Sequence, residues 1–116
     1  MAASFRMFNP SRPQDVLMVA EAQGPVEKMR GLIGSKGLAP ATGLLLRARQ
    51  VHTFGMSFAI DTVHLAADGK VLRIRTMKPG RLGRVVYSAR WVLELQAGEA
   101  SRLGIIEGTR LVRESS

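Results

Sequence analysis

The sequence predicts a mainly β fold: a single compact β-sandwich or barrel-like domain of six to seven short strands with two short helices. Three observations carry this expectation. Apolar runs of strand length recur along the chain, separated by breaks that contain glycine or proline. Strand patterns do not alternate with long helical ones, so a doubly wound parallel sheet is not expected. Asp68-Gly69 stands between two strand-like runs, and Asp-Gly is the favoured two-residue hairpin turn because both central residues take positive φ.

The elements follow in order. Residues 1–12 read as a flexible leader, 13–113 as the β-rich domain and 114–116 as a frayed tail. Residues 15–22, DVLMVAEA, form a first strand. Residues 24–32 predict a short helix: Pro25 suits the first helical position, Val26, Met29 and Ile33 recur at helical spacing, and Gly31 and Gly34 limit its length. Residues 34–42 are a loop, 43–47 (GLLLR) a buried strand, and 49–54 another short strand broken by Gly55. The 58–76 hairpin follows, then a basic loop at 78–84, KPGRLGR, with the composition of a mobile anion-contacting segment. Residues 91–95, WVLEL, form a strand with Trp91, Leu93 and Leu95 on one face and Val92 and Glu94 on the other. Residues 96–103 turn into a short helix stopped by Gly104, and 109–112 close the chain as a strand.

A tight turn at Asp68-Gly69 fixes the hairpin register. It pairs Leu65 with Leu72, Val63 with Ile74 and Asp61 with Thr76 on one face. The other face carries His64 with Arg73, Thr62 with Arg75 and Ile60 with Met77. A three-residue loop with a bulge would instead slip the register by one.

Composition narrows the function. With no cysteine there are no disulfides, thiolate zinc sites or thiol nucleophiles. No apolar run reaches the length of a membrane span. The chain as it stands is expected in the cytoplasm, unless an upstream export signal has been removed. The net charge of +8 comes mostly from arginine and points to acidic partners. The arginines are scattered and aromatic residues make up only 5% of the chain, which disfavours base-stacking nucleic-acid platforms.

Asp61 is the residue to watch. It stands in FAIDTVHL on the face assigned to the core, and a buried carboxylate must find a basic partner, accept backbone N–H bonds or keep its proton. It is the candidate acid/base if the protein is an enzyme. His52, Asp61 and His64 do not make a metal set, because Asp61 and His64 are three apart and point to opposite faces of a strand. No metal and no cofactor are expected. No Gly-x-Ser-x-Gly elbow occurs, and Gly34-Ser35-Lys36-Gly37 lacks the strand and helix of a phosphate loop.

Three stretches carry a resemblance: Met29-Arg30-Gly31-Leu32-Ile33-Gly34, then His52-Thr53-Phe54-Gly55-Met56-Ser57-Phe58-Ala59-Ile60-Asp61, then Ala89-Arg90-Trp91-Val92-Leu93-Glu94-Leu95-Gln96-Ala97-Gly98-Glu99-Ala100. Together with Leu103-Gly104-Ile105 and Gly108 they resemble the bacterial and archaeal family known as domain of unknown function 192. The resemblance implies a β-rich domain with short helices and supplies no activity. It implies that a shared site would lie at Arg30, Gly31, Met56, Asp61, Glu94 and Gly98. An aromatic often stands in that family where this chain has His64.

The functional expectation is a non-enzymatic accessory module that binds a small anionic ligand or a protein partner. Its groove would lie near Phe54, Met56, Asp61 and the 80–84 loop, with Arg30, His52, Arg81, Arg84 and Glu94 as further ligand-binding candidates. Arg30 would neutralise Asp61 or Glu94 as a bidentate pair. The alternatives are a small hydrolase- or lyase-like enzyme using Asp61, and a nucleic-acid binder using Arg73, Arg75, Arg81 and Arg84.

Overall fold

The computed structural model describes residues 4–22 and 37–114. Seven strands form one sheet: β1 (Ser4–Phe8), β2 (Leu17–Glu21), β3 (Thr42–Leu46), β4 (Ile60–Leu65), β5 (Val71–Met77), β6 (Trp91–Gln96) and β7 (Val112–Arg113). Their order is β5-β4-β6-β3-β2-β1-β7. All neighbours are antiparallel except β2 and β3. The sheet curls into a half-barrel whose two ends approach each other. Val71 N donates to Thr109 O at 2.7 Å, Gly108 N to Val71 O at 2.8 Å and Leu111 N to Gly69 O at 3.0 Å, so the segment leading into β7 lies against the start of β5. One short helix, α1 (Glu99–Arg102), is described. The expected helix at 24–32 lies outside the described residues.

The inner core is drawn from most of the strands and from the helix. Val19, Leu45, Val63, Leu65, Leu93 and Leu95 pack there with Ala100 and Leu103 from around α1. The expected sorting of 91–95 holds: Leu93 and Leu95 enter this core while Val92 joins a second apolar cluster on the other face. Gly104 follows α1 at φ +69°, as its role as a helix stop requires.

The hairpin holds with one correction. Gly69 takes φ +89°, but Asp68 does not take positive φ. Gly69 N donates to Ala66 O and Ala66 N to Lys70 O, both at 2.9 Å, which makes a three-residue loop with a bulge. Leu65 therefore pairs with Val71 rather than Leu72, while the expected pairs from Ile60–Met77 to His64–Arg73 survive. The bulge at Leu72 has a packing reason. It lets Val71 enter the inner core although Arg73, two residues on, faces outward.

Two further expectations are corrected. Ser4–Phe8, placed in the flexible leader, is a strand paired to β2 and β7, with Met7 buried. Residues 49–54 are not a sheet strand. Their partners come from the basic loop instead, through Thr53 N to Arg81 O at 2.8 Å, Gly83 N to Val51 O at 2.9 Å and a bridge between His52 and Leu82.

Candidate functional site

Period-2 alternation sends Ile60, Thr62 and His64 of β4 to the outer face of the sheet. Met77 closes one part of that face with Leu44, Leu46, Val51, Met56, Ile60 and Val92. Thr62, His64 and Glu94 are buried polar side chains among them, none more than 3% exposed. The register fixes how they meet. Glu94 lies opposite Thr62, and His64 lies opposite Val92 on one side and Arg73 on the other. Glu94 and His64 are thus diagonal neighbours on one face, a separation that long side chains bridge.

Two of these side chains, His64 and Glu94, are not satisfied as buried polar groups usually are. Thr62 Oγ1 donates to Arg75 O at 3.2 Å. Neither ring nitrogen of His64 has a hydrogen-bond partner, and neither has Glu94 Oε2. Each such atom costs about 1–3 kcal/mol relative to a paired one. Burial pushes the Glu94 carboxyl up to about 8, so it holds its proton at neutral pH. His64 is held below the ordinary histidine value, first by burial and then by the Arg73 charge. The Arg49 backbone opposes this without bonding either ring nitrogen in good geometry.

Beside this face opens a cleft of about 440 Å³. Thr62 and His64 line it together with Arg73, Arg75, Lys78, Arg81 and Arg84, and no carboxylate lines it. The Arg73 guanidinium sits below its ordinary value through desolvation and then through the charges of Arg75 and Arg84, with Glu107 opposing. Among the described residues the ion pairs lie elsewhere, at Arg6–Glu114, Arg12–Asp15, Arg102–Glu99 and Arg110–Asp68. The cleft's basic wall is fixed by a residue that sequence reasoning passed over. Buried Thr53 donates its hydroxyl to Lys78 O at 2.6 Å and accepts from Arg81 N at 2.8 Å, which clamps the 78–81 turn. A second cleft of about 360 Å³, at the mouth of the curl, mixes Glu21 and Asp68 with Arg113 and the apolar rings of Phe5 and Trp91. Among the described residues no group of three His, Asp or Glu side chains could hold a metal ion.

The sequence candidates divide. Arg81 and Arg84 line the basic cleft, and Glu94 is buried on the face beside it. Met56 packs in the outer apolar cluster. Phe54 is exposed, with the His52 ring stacked on it at 4.9 Å. Arg30 lies outside the described residues. Asp61 is turned away from Thr62 and His64, toward α1. Its Oδ2 accepts from Gly98 N and Ala100 N, both at 3.0 Å, and its Oδ1 from Thr76 Oγ1 at 2.7 Å. The structure therefore gathers Thr62, His64, Arg73, Arg75, Lys78, Arg81 and Arg84, and it does not bring Asp61 into one groove with Phe54 and Met56.

Comparison with known proteins adds the following. The profile of domain of unknown function 192, a family of uncharacterized proteins, matches residues 7–113. A solved structure from Sinorhizobium meliloti 1021, provisionally described as a transcription regulator, is similar at 27% identity with a TM-score of 0.77, over 97% of this chain and 95% of that one. A protein of unknown function from Novosphingobium aromaticivorans DSM 12444 shares the fold at 17% identity with a TM-score of 0.76, over 96% of this chain and 84% of that one. No curated protein matches the chain.

Proposed function

The chain belongs to the domain of unknown function 192 family, and from the geometry of its outer face we propose that it is a binding module for a small anionic ligand. The observation that carries this reading is a cleft lined by five cationic side chains and no carboxylate, with a buried, unpartnered histidine in its wall. Cations held close together repel, so the arrangement is least unfavourable with an anion between them. The cleft volume falls within the range of small-molecule sites. An acid/base role for Asp61 has less support, because both its oxygens already accept hydrogen bonds.

Calorimetric titration with pyrophosphate at low ionic strength tests the reading. Saturable binding is expected, weakened about tenfold in Arg81→Gln/Arg84→Gln with the thermal midpoint unchanged, since both side chains are exposed and each supplies a charge-assisted contact. No saturable binding would refute it.

A second reading, nucleic-acid contact through Arg73, Arg75, Arg81 and Arg84, is favoured by one observation, the description of the Sinorhizobium relative. Oligonucleotide affinity with a steep logarithmic dependence on salt, exceeding that for pyrophosphate, would move the function there.

A further inference from the structure

We infer that the anion carries an oxyanion group of the phosphate or sulfate class, and that this group docks on the His64 ring, which gains a proton as it binds. The inference rests on the proposed anion-binding function and deepens it by naming the chemical class and the residue that reads it. His64 is only 3% exposed, yet it lines the cleft with both ring nitrogens free of partners. A neutral imidazole offers one donor and one acceptor. The ring nitrogens point apart, so one of them meets a bound oxyanion. A neutral ring can turn its lone pair to that anion, whereas the protonated ring is a donor at either nitrogen and adds a positive charge. Thr62 Oγ1, the other buried polar atom in the wall, now donates to Arg75 O and can turn its hydroxyl to a ligand oxygen.

The charges around the ring explain the coupling. From β5 the Arg73 charge acts on it, and the Arg49 backbone opposes from the segment after β3; Arg75, Lys78, Arg81 and Arg84 line the same cleft. From β6, Glu94 is its diagonal neighbour and is uncharged at neutral pH. Burial and Arg73 disfavour the imidazolium. A bound oxyanion offsets the cationic field, so the ring gains proton occupancy from solvent as the anion enters. Glu94 titrates in a separate window. It ionises near pH 8, and its negative charge then opposes the anion.

The test is an NMR titration of the wild-type imidazole Cε1–H signals with pH, in sodium sulfate and in sodium chloride of equal ionic strength. Sulfate keeps its charge across this range, so any pH dependence belongs to the protein. Sulfate is expected to raise the apparent pKa of His64 by about one unit, equivalent to about tenfold tighter binding of sulfate to the protonated ring. The His52 signals are followed alongside those of His64, so that the two imidazoles are told apart. His64→Gln keeps the arginine cluster and is expected to bind sulfate without the gain at low pH. Glu94→Gln is expected to remove the loss of affinity near pH 8 and to leave the His64 step in place. Should His64→Gln fail to fold, the wild-type titration decides alone.

Saturable sulfate binding that leaves His64 unmoved overturns the inference while the anion-binding function stands. No saturable binding of sulfate or pyrophosphate at any pH overturns both. The same oxyanion could reach the cleft on a free small molecule or on a lipid headgroup. Sedimentation with phosphatidylglycerol vesicles, against phosphatidylcholine controls, separates the two. Vesicle binding without binding of free sulfate or pyrophosphate also overturns the small-ligand assignment.

Discussion

Asp61→Asn is the substitution whose effect the structure fixes best. The Asp61 carboxylate holds the start of α1 to β4 and to the Thr76 hydroxyl of β5. Its Oδ2 takes two backbone N–H groups, of Gly98 and Ala100, and the Ala100 bond is buried. Asparagine is nearly isosteric. Its best orientation keeps an oxygen on those two N–H groups and turns the amide NH₂ toward Thr76, whose hydroxyl then has to accept rather than donate. A hydrogen bond to a charged acceptor contributes about 1.5–3 kcal/mol against about 1 for a neutral one. Downgrading two such bonds costs about 2 kcal/mol. Asp61→Ala removes all three acceptor contacts and strands the buried N–H groups, at about 4 kcal/mol. At about 4 °C per kcal/mol for a chain of this size, the midpoints fall by about 8 °C and 16 °C. Urea denaturation followed by fluorescence of Trp91, the single tryptophan, and by far-ultraviolet dichroism gives both numbers. Anion affinity at a temperature where the variant is folded should be unchanged. Asp61→Asn with stability within about 0.5 kcal/mol of the parent, or above it, would refute the anchoring role. The charge would then be held at a cost, as functional groups often are, and Asp61 would return as a site candidate.

Two further outcomes follow from single residues. The raised folded-state value of Glu94 means that the unfolded chain releases its proton near the ordinary value of 4.5, whereas the folded chain keeps it until about 8. The stability linked to this group is therefore fully present below about pH 4.5 and lost as pH rises to 8, on the order of 4 kcal/mol in all. Glu94→Gln should flatten that slope and exceed the parent in stability at pH 8, as measured by denaturant titration at pH 4.5 and 8. Gly69→Ala should destabilise by about 3 kcal/mol. Gly69 sits at φ +89°, and an added Cβ would lie 2.2 Å from Leu111 O, where the 108–111 segment closes on β5. Thermal denaturation reads this, and a midpoint within 2 °C of the parent would contradict the closure.

The sequence was most legible where structure is local. The alternation of WVLEL separated Leu93 and Leu95 from Val92 and Glu94 without reference to any other segment, and the structure puts the two leucines in the inner core. Asp68-Gly69 announced the hairpin, but the tight-turn register failed at Leu65, because Val71 gains an inner-core position through the bulge and no local signal shows that core. Ser4–Phe8 was missed for the same reason. Only Phe5 and Met7 alternate inward within SFRMF, and one of its two partner strands, β7, comes from the far end of the chain. Residues 49–54 have strand composition, yet the backbone partners of Val51 and Thr53 lie in the 80–83 turn and that of Arg49 is Val86. For the cleft, the pairings His64–Arg73 and Thr62–Arg75 were readable from the hairpin. What was not readable is that His64 would be buried without a hydrogen-bond partner, since that depends on contacts from outside the hairpin.

Strand β4 carries buried polar residues on both sides, and the contrast between them supports the proposed site. On the inner side the Asp61 carboxylate has three donors within 3.0 Å, which is how a structural charge is kept in a core. On the outer side His64 has two free nitrogens, and its neighbour Glu94 on β6 has a free carboxyl oxygen. Stability alone does not account for those atoms, because apolar side chains of similar size would fill the same space without the cost of unpaired polar groups. Apolar residues already occupy the flanking outward positions, Ile60 on β4 and Val92 on β6. The polar choice is thus confined to the part of the face that borders five cations and an open cleft. Unpaired hydrogen-bonding atoms beside clustered cations support the proposed binding of a small anion more directly than the charge of the chain as a whole does.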